Sequence, residues 1–194
     1  MKKSFVKKSF IDYGLKVRLP IILFVVIASF AVTYYVSYAE RNGIGYQPEQ
    51  PINFSHKIHA GDMKIDCQYC HIGVDKSRVA SIPSVNVCMG CHSIARKDKP
   101  EIQKLTQYYE QNKPIPWKRI HKVPEFVYFN HSVHITNGIQ CQSCHGDVQK
   151  MDVVGQVSSF TMGACLDCHR NAHDKLPYIK NIKNGPENCA ACHR

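Results

Sequence analysis

The ten cysteines of this chain fall in five copies of one pattern, Cys-x-x-Cys-His. The copies are Cys67-Cys70-His71, Cys88-Cys91-His92, Cys141-Cys144-His145, Cys165-Cys168-His169 and Cys189-Cys192-His193. Two thiols at this spacing add across the two vinyl groups of a porphyrin edge, and a histidine placed next to the second thiol reaches the iron from the same face. The pattern is the attachment signature of a c-type haem. Paired Cys-x-x-Cys units also make structural zinc sites. Five units leave one over when paired into four-cysteine sites, however, and zinc does not need the histidine that follows every pair. A disulfide framework accounts for an even cysteine count but again not for the histidines. The motifs therefore predict five covalent haem c groups, with His71, His92, His145, His169 and His193 as proximal iron ligands.

Each iron needs a second axial ligand if it is to shuttle electrons without binding a substrate. Phe54–His71 reads FSHKIHAGDMKIDCQYCH and Phe129–His145 reads FNHSVHITNGIQCQSCH, so a Phe-x-His-x-x-His segment stands twice before a haem motif. Two histidines at i and i+3 occupy neighbouring positions on a helical turn. They can point at two adjacent haems more easily than at one. His56, His59, His131 and His134 are therefore the expected distal ligands. Five irons need a fifth, and the remaining candidates are His121, His173, Met63, Met89, Met151 and Met162. Met162 lies three residues before Cys165, from where a side chain reaches the next haem along the chain. It is the preferred choice, with His121 as the alternative.

The elements that position these residues can be read in outline. The repeat divides the region into two related modules, 54–128 with two haem motifs and 129–194 with three. Residues 40–53, with two glycines and two prolines, read as a linker. Residues 100–112 place Ile102, Leu105 and Tyr109 at helical spacing behind Pro100 and Glu101. Pro114, Pro116 and Pro124 then make an extended connector that carries Trp117 and Arg119. About 31 residues per haem is too little protein for an ordinary apolar core. The expected fold is mainly α and irregular, of short helices and loops built around five porphyrins, with the haem-free chain unfolded.

The amino-terminal segment is of another kind. Residues 19–39 are uncharged and mostly apolar. At about 1.5 Å rise per residue they span a hydrocarbon core of roughly 30 Å, so a single transmembrane helix is predicted. Tyr34, Tyr35 and Tyr38 sit toward its outer end, where aromatic rings favour the interface. The basic tail, residues 1–18, carries a net charge of +5. The excess of positive charge before the helix places that tail in the cytoplasm and the haem region outside. A cleaved signal peptide is the competing reading, but its apolar stretch is usually about 7–15 residues, shorter than this one. The chain carries a net +10 in all. The basic excess of the haem region reads as counterbalance to haem propionates, because no clustered basic face of the kind that binds nucleic acid is evident.

The doubled Phe-x-His-x-x-His before Cys-x-x-Cys-His resembles the class III multihaem cytochromes, in which the first histidine serves the haem that follows and the second a neighbouring one. The order of anchor, FSHKIHAG, IPSVNVCMGCH, WKRIH, PEFVYFNHSVH and TMGACLDCHR is similar to the pentahaem subunits of alternative complex III, a bacterial quinol-oxidising membrane complex. A hexahaem sister subunit occurs in a periplasmic quinone reductase complex, and five motifs fit the former better. The resemblance implies an electron-transfer subunit in the bacterial inner membrane, with its haem domain in the periplasm. Its partners would be integral-membrane and iron–sulfur subunits, and its acceptor a monohaem cytochrome c or a terminal oxidase. It implies no catalytic residue. Two other readings compete. A membrane-anchored quinol dehydrogenase feeding a periplasmic reductase would start its haems nearer the membrane, whereas 27 residues separate Ala39 from Cys67. A catalytic multihaem reductase would need an open iron, and six histidines besides the five proximal ones can cap the irons here.

Overall fold

The structure, a computed structural model, describes residues 11–37 and 43–193. Residues 1–10 of the basic tail, Tyr38, Ala39 and the first linker residues 40–42 lie outside it. The chain divides into two units, at the boundary between residues 41 and 42.

The described residues of the first unit are helical. Helix α1 runs from Leu19 to Ser37, and a π-helical turn, Gly14–Arg18, feeds into it. One continuous apolar helix, Ile11–Val36, is long enough to cross a membrane. The helix thus starts eight residues earlier than the uncharged stretch. Local pairing explains the extension: Lys16 bonds Asp12 one turn back at 3.1 Å, and the Arg18 guanidinium lies over the Tyr13 ring at 5.5 Å. Such i,i+4 and cation–π contacts hold charged residues in helical register.

The second unit is built of short helices: α2 Cys67–Cys70, α3 Val85–His92, α4 Pro100–Glu110, α5 His131–Thr136, α6 Gln142–His145, α7 Met162–Arg170, α8 Ala172–Lys175 and α9 Cys189–Cys192. Loops join them, with a π-helical turn at Lys57–Asp62 and a 3-10 turn at Val148–Lys150. Among the described residues the extended pairing is one isolated bridge, Val127 with His193. Every Cys-x-x-Cys pair is on or beside a helical turn, which brings both thiols to one side. Side-chain caps start these turns. Asp66 accepts from the Gln68 amide before α2, Asn130 from Ser132 before α5, Thr161 from Ala164 before α7 and Asn188 from Ala191 before α9. Each satisfies an amide that the helix start leaves without a partner.

The apolar core is small. Only Ile52, Val74, Leu105, Ile115, Ala172 and Leu176 are buried hydrophobics among the described residues, and no described side chain is fully buried. Three of them, Ile52, Leu105 and Ile115, form one cluster, with Val85, Ile102, Tyr108 and Trp117 packed around it. Helix α4 faces this cluster with the 102–105–108 stripe. Tyr109, which the spacing also allowed, is exposed, because the i+3 step, not the i+4 step, points inward here. A domain of about 150 residues ordinarily buries some 68–70% of the surface of its unfolded chain. Six buried apolar side chains cannot supply that, as expected for a unit whose core is completed by apolar groups other than side chains.

Candidate functional site

The two Phe-x-His-x-x-His segments fold alike. The Phe54 ring meets His56 edge-on at 4.8 Å and stacks on His59 at 4.4 Å. Phe129 meets His131 edge-on at 4.8 Å and stacks on His134 at 4.6 Å. The Nδ1 of His59 bonds the Ser55 carbonyl and that of His134 the Asn130 carbonyl, each four residues back. The phenylalanine is thus a wedge that fixes two imidazoles at once, one on its face and one at its edge.

The same carbonyl anchoring recurs at the motif histidines. Nδ1 of His71 bonds Ser81 O at 2.7 Å, that of His92 bonds Ala95 O at 3.1 Å, that of His169 bonds Pro186 O at 2.7 Å and that of His193 bonds Phe126 O at 3.3 Å. His131 does likewise with Arg78 O at 2.9 Å. A histidine that donates from Nδ1 to a carbonyl presents a bare Nε2 lone pair, in the tautomer and orientation a metal takes, and with raised basicity.

Three ring pairs follow from this anchoring. His59 faces His92 with ring centres 6.1 Å apart, His131 faces His145 at 6.4 Å, and His134 faces His169 at 6.3 Å. Two imidazoles on opposite sides of one metal, with metal–nitrogen bonds of about 2.0–2.1 Å and ring centres about 1.1 Å beyond each nitrogen, stand roughly 6.3 Å apart. This centre-to-centre spacing would suit two axial ligands of one metal. Each pair joins a motif histidine to one from a Phe-x-His-x-x-His segment. The first histidine of the second segment meets the motif that follows it, and the second histidine of each segment meets the next motif along. His56 lies close enough to His71 for each to feel the other's charge. Its Nδ1 is buried without a hydrogen-bond partner, as is the Nε2 of His121. All ten thiols are free of disulfides. No described group of three or more His, Cys, Asp or Glu converges on a bare metal ion. The donor set fits porphyrin-bound iron.

Comparison with known proteins agrees with this chemistry. The model of the class III cytochrome C family matches residues 34–122, and that of cytochrome c7 and related cytochrome c matches residues 127–194. The chain is a multihaem cytochrome c. Proteins of these families bind haem c covalently through such motifs. The cytochrome is 28% identical over 169 residues to the protein named menaquinone reductase, multiheme cytochrome c subunit, of Nitratidesulfovibrio vulgaris (strain Hildenborough). The match covers 76% of this chain and 78% of that relative.

Burial favours the neutral form of four of the cytochrome's histidines. Burial, with the charges of His71 and His59 adding to it, lowers the His56 pKa to about 4. Burial, then His121, His131 and His71, lowers that of His145 to about 4. Burial also lowers His121 and His134. Only a neutral imidazole has a lone pair for iron, so these shifts favour ligation at neutral pH. The thiols of Cys70, Cys88, Cys141, Cys144, Cys165 and Cys168 are raised, chiefly by burial.

The fifth distal candidates stand in different settings. Met162 is in the first turn of α7 and 68% exposed. His121 lies edge-on to His145 with ring centres 4.4 Å apart, next to Phe160. The ring of His193 stacks on Phe126 at 5.7 Å. His173 pairs with Asp174 on the surface, at 3.7 Å. Several contributors to the site are silent in the sequence. The carbonyls of Ser81, Ala95, Arg78 and Pro186 have no side-chain signature. The repeated Phe54 and Phe129, by contrast, were visible in the repeat and signal the wedge. Gly185 is a further case: a Cβ there would stand 2.5 Å from the His169 ring, so only glycine lets this loop lie against that ring.

Proposed function

We propose that the chain is a membrane-anchored pentahaem cytochrome that serves as the electron-transfer subunit of a respiratory quinone-linked complex. The observation that carries this reading is the set of three histidine pairs at 6.1–6.4 Å, which would cap three irons on both faces and leave them to exchange electrons without binding a substrate. Bound haem supplies reversible one-electron chemistry at its iron. The chain's residues do the rest. The ten motif cysteines hold the groups covalently, and His71, His92, His145, His169 and His193 are the proximal ligands. The distal ligands are His56 for the first motif, His59 for the second, His131 for the third and His134 for the fourth. The fifth is His121 or Met162. His121 has a buried Nε2 with no hydrogen-bond partner, but its ring lies against His145 of the third motif, so Met162 stays the preferred ligand for the fifth. Bis-His ligation keeps potentials low and a Met ligand raises them, so the choice sets the potential of one site.

In this reading helix α1 crosses the inner membrane with the amino terminus in the cytoplasm and the haem modules in the periplasm. Electrons from quinol reach the cytochrome by way of an iron–sulfur subunit and leave to a monohaem cytochrome c or a terminal oxidase, as in alternative complex III. A second reading runs the same chain in the opposite direction, delivering electrons toward menaquinone. It is favoured by the printed name of the Nitratidesulfovibrio relative. Gentle detergent purification of the tagged chain from its native membrane tests both. Five haems by intact mass, with co-purified iron–sulfur and integral-membrane subunits, are expected. Quinol-dependent reduction of cytochrome c supports the first direction, and quinone reduction by a reduced cytochrome the second. An isolated chain that oxidises quinol by itself would sink both and favour a quinol dehydrogenase.

A further inference from the structure

The five motifs are numbered by sequence, but their packing follows another order. The second motif neighbours the first. His59, on the segment leading into motif one, pairs with His92 of motif two, and the Cys70 thiol is close to those of Cys88 and Cys91. The first motif neighbours the third across the module boundary. The Lys57–Asp62 turn packs on the Val148–Lys150 turn, the Lys57 amide donates to Met151 O at 3.0 Å, and Ser55 Oγ donates to Asp152 at 2.8 Å. The Cys67 and Cys141 thiols are within hydrogen-bonding reach of each other. His131 donates from both its amide and Nδ1 to Arg78 O. A Cβ on Gly61 would run into the Gln149 carbonyl, so the two segments touch at backbone level. The third motif neighbours the fourth through His134 and His169 and through Cys144 beside Cys165 and Cys168. The fourth neighbours the fifth. Gly185 donates to His169 O, Pro186 O accepts from the His169 ring, and Arg170 pairs with Glu187 at 2.8 Å, all just before α9. The Cys165 thiol is close to that of Cys192.

We infer that the attachment motifs stand in space in the order second, first, third, fourth, fifth, so that the modules join through motifs one and three while motifs two and five are the two ends of the line. This rests on each motif holding a haem. The connector explains how the chain achieves the order. After motif two, α4 and the proline-rich stretch run back alongside the segment entering motif one. The Asn53 amide donates to Glu101 at 2.8 Å, and Gln50 exchanges two hydrogen bonds with the Lys118 backbone at 2.9 and 3.0 Å. Residues 93–128 thus return past motif one before the second module begins. The order makes motif two a terminus at which a redox partner meets the chain, and motif one an interior relay.

Two double variants separate this order from the sequential one. In the purified, membrane-extracted holoprotein, C88A/C91A removes motif two and C67A/C70A removes motif one. Intact mass first counts haems; five in the parent chain and four in each variant are expected, and another parent count would sink the pentahaem reading without touching the order. Flash photoreduction then follows electron equilibration among the remaining groups. The inferred order expects C88A/C91A to equilibrate as one connected population, and C67A/C70A to lose equilibration between the second motif's iron and the other three. The reverse pattern overturns it. Should either variant fail to fold, electron cryomicroscopy of the parent complex decides. The iron of motif one should lie nearer that of motif three than the iron of motif two does, and the opposite ranking refutes the inference.

Discussion

Gly185 gives the sharpest test of the ligand geometry, because a single methyl group is aimed at a proposed iron ligand. A Cβ at this position would stand 2.5 Å from both Cδ2 and Cγ of His169, where ordinary contact begins at 3.4 Å. Gly185→Ala therefore demands a separation of about 0.9 Å between ring and loop. The loop is tied to the same histidine by two bonds, Gly185 N to His169 O at 2.9 Å and His169 Nδ1 to Pro186 O at 2.7 Å. It cannot retreat without breaking the anchor that orients the ring. Metal–ligand distances tolerate only about ±0.2 Å, so a ring displaced by several times that amount leaves the iron or binds it weakly. Overpacking of this kind costs about 1–3 kcal/mol. Ferric electron paramagnetic resonance and visible spectra of the purified variant should show a high-spin population equivalent to one haem of the set, with a lowered Tm. A fully low-spin spectrum with unchanged Tm would refute the placement of His169 against this loop.

The remaining predictions concern the wedge, acid and the prosthetic groups. Phe129→Ala removes two aromatic contacts worth about 0.5–1.5 kcal/mol each. It should destabilise the second module and broaden the resonances of two low-spin centres, those of His131 and His134, while Phe54→Ala does the same in the first module; sharp, unshifted signals would count against the wedge. His56 and His145 have native pKa values lowered to about 4 from an ordinary value near 6.5. Their stabilising contribution is complete above about pH 6.5. It declines below that pH as the unfolded chain takes up protons that the buried, ligating imidazoles refuse, by up to about 1.4 kcal/mol per pH unit for each histidine. Denaturant titrations between pH 7 and 4 should show that decline, and a flat profile across the window would contradict it. Expression where haem cannot be attached should yield a chain with little ordered tertiary structure by near-ultraviolet circular dichroism and amide exchange; a cooperative thermal transition in that haem-free chain would show a core larger than the six buried side chains imply.

How much of this was readable beforehand depended on which part of the residue did the work. The thiols, the motif histidines and the doubled histidine pairs carry side chains of distinctive chemistry, so their types and spacing single them out as candidates. The expectation that the first histidine serves the following haem and the second a neighbouring one stays part of the proposal, which the three ring pairs support. Positions that act through the backbone were not readable in this way. The Ser81, Ala95 and Pro186 carbonyls could belong to any residue type, and Gly185 is one glycine among several until its loop is seen against His169. The inward stripe of α4 was off by one residue, Tyr108 replacing Tyr109, because adjacent tyrosines satisfy the 3.6 period about equally well. The order of the motifs in space was beyond any reading of spacing, since it depends on the connector doubling back.

The carbonyl anchors have a consequence for how such a chain can vary. The basicity of a proximal imidazole depends on the strength of its Nδ1 hydrogen bond, and here that partner is a peptide oxygen at Ser81, Ala95, Pro186 and Phe126. Replacing the side chain at such a position leaves the oxygen in place. Under the proposed ligation, electronic tuning at these sites would be insulated from most substitutions and exposed instead to changes in loop length. One residue inserted between Cys168 and Cys189 or between His71 and Ser81 would slide a carbonyl away from its ring, and with it the electron affinity of the site.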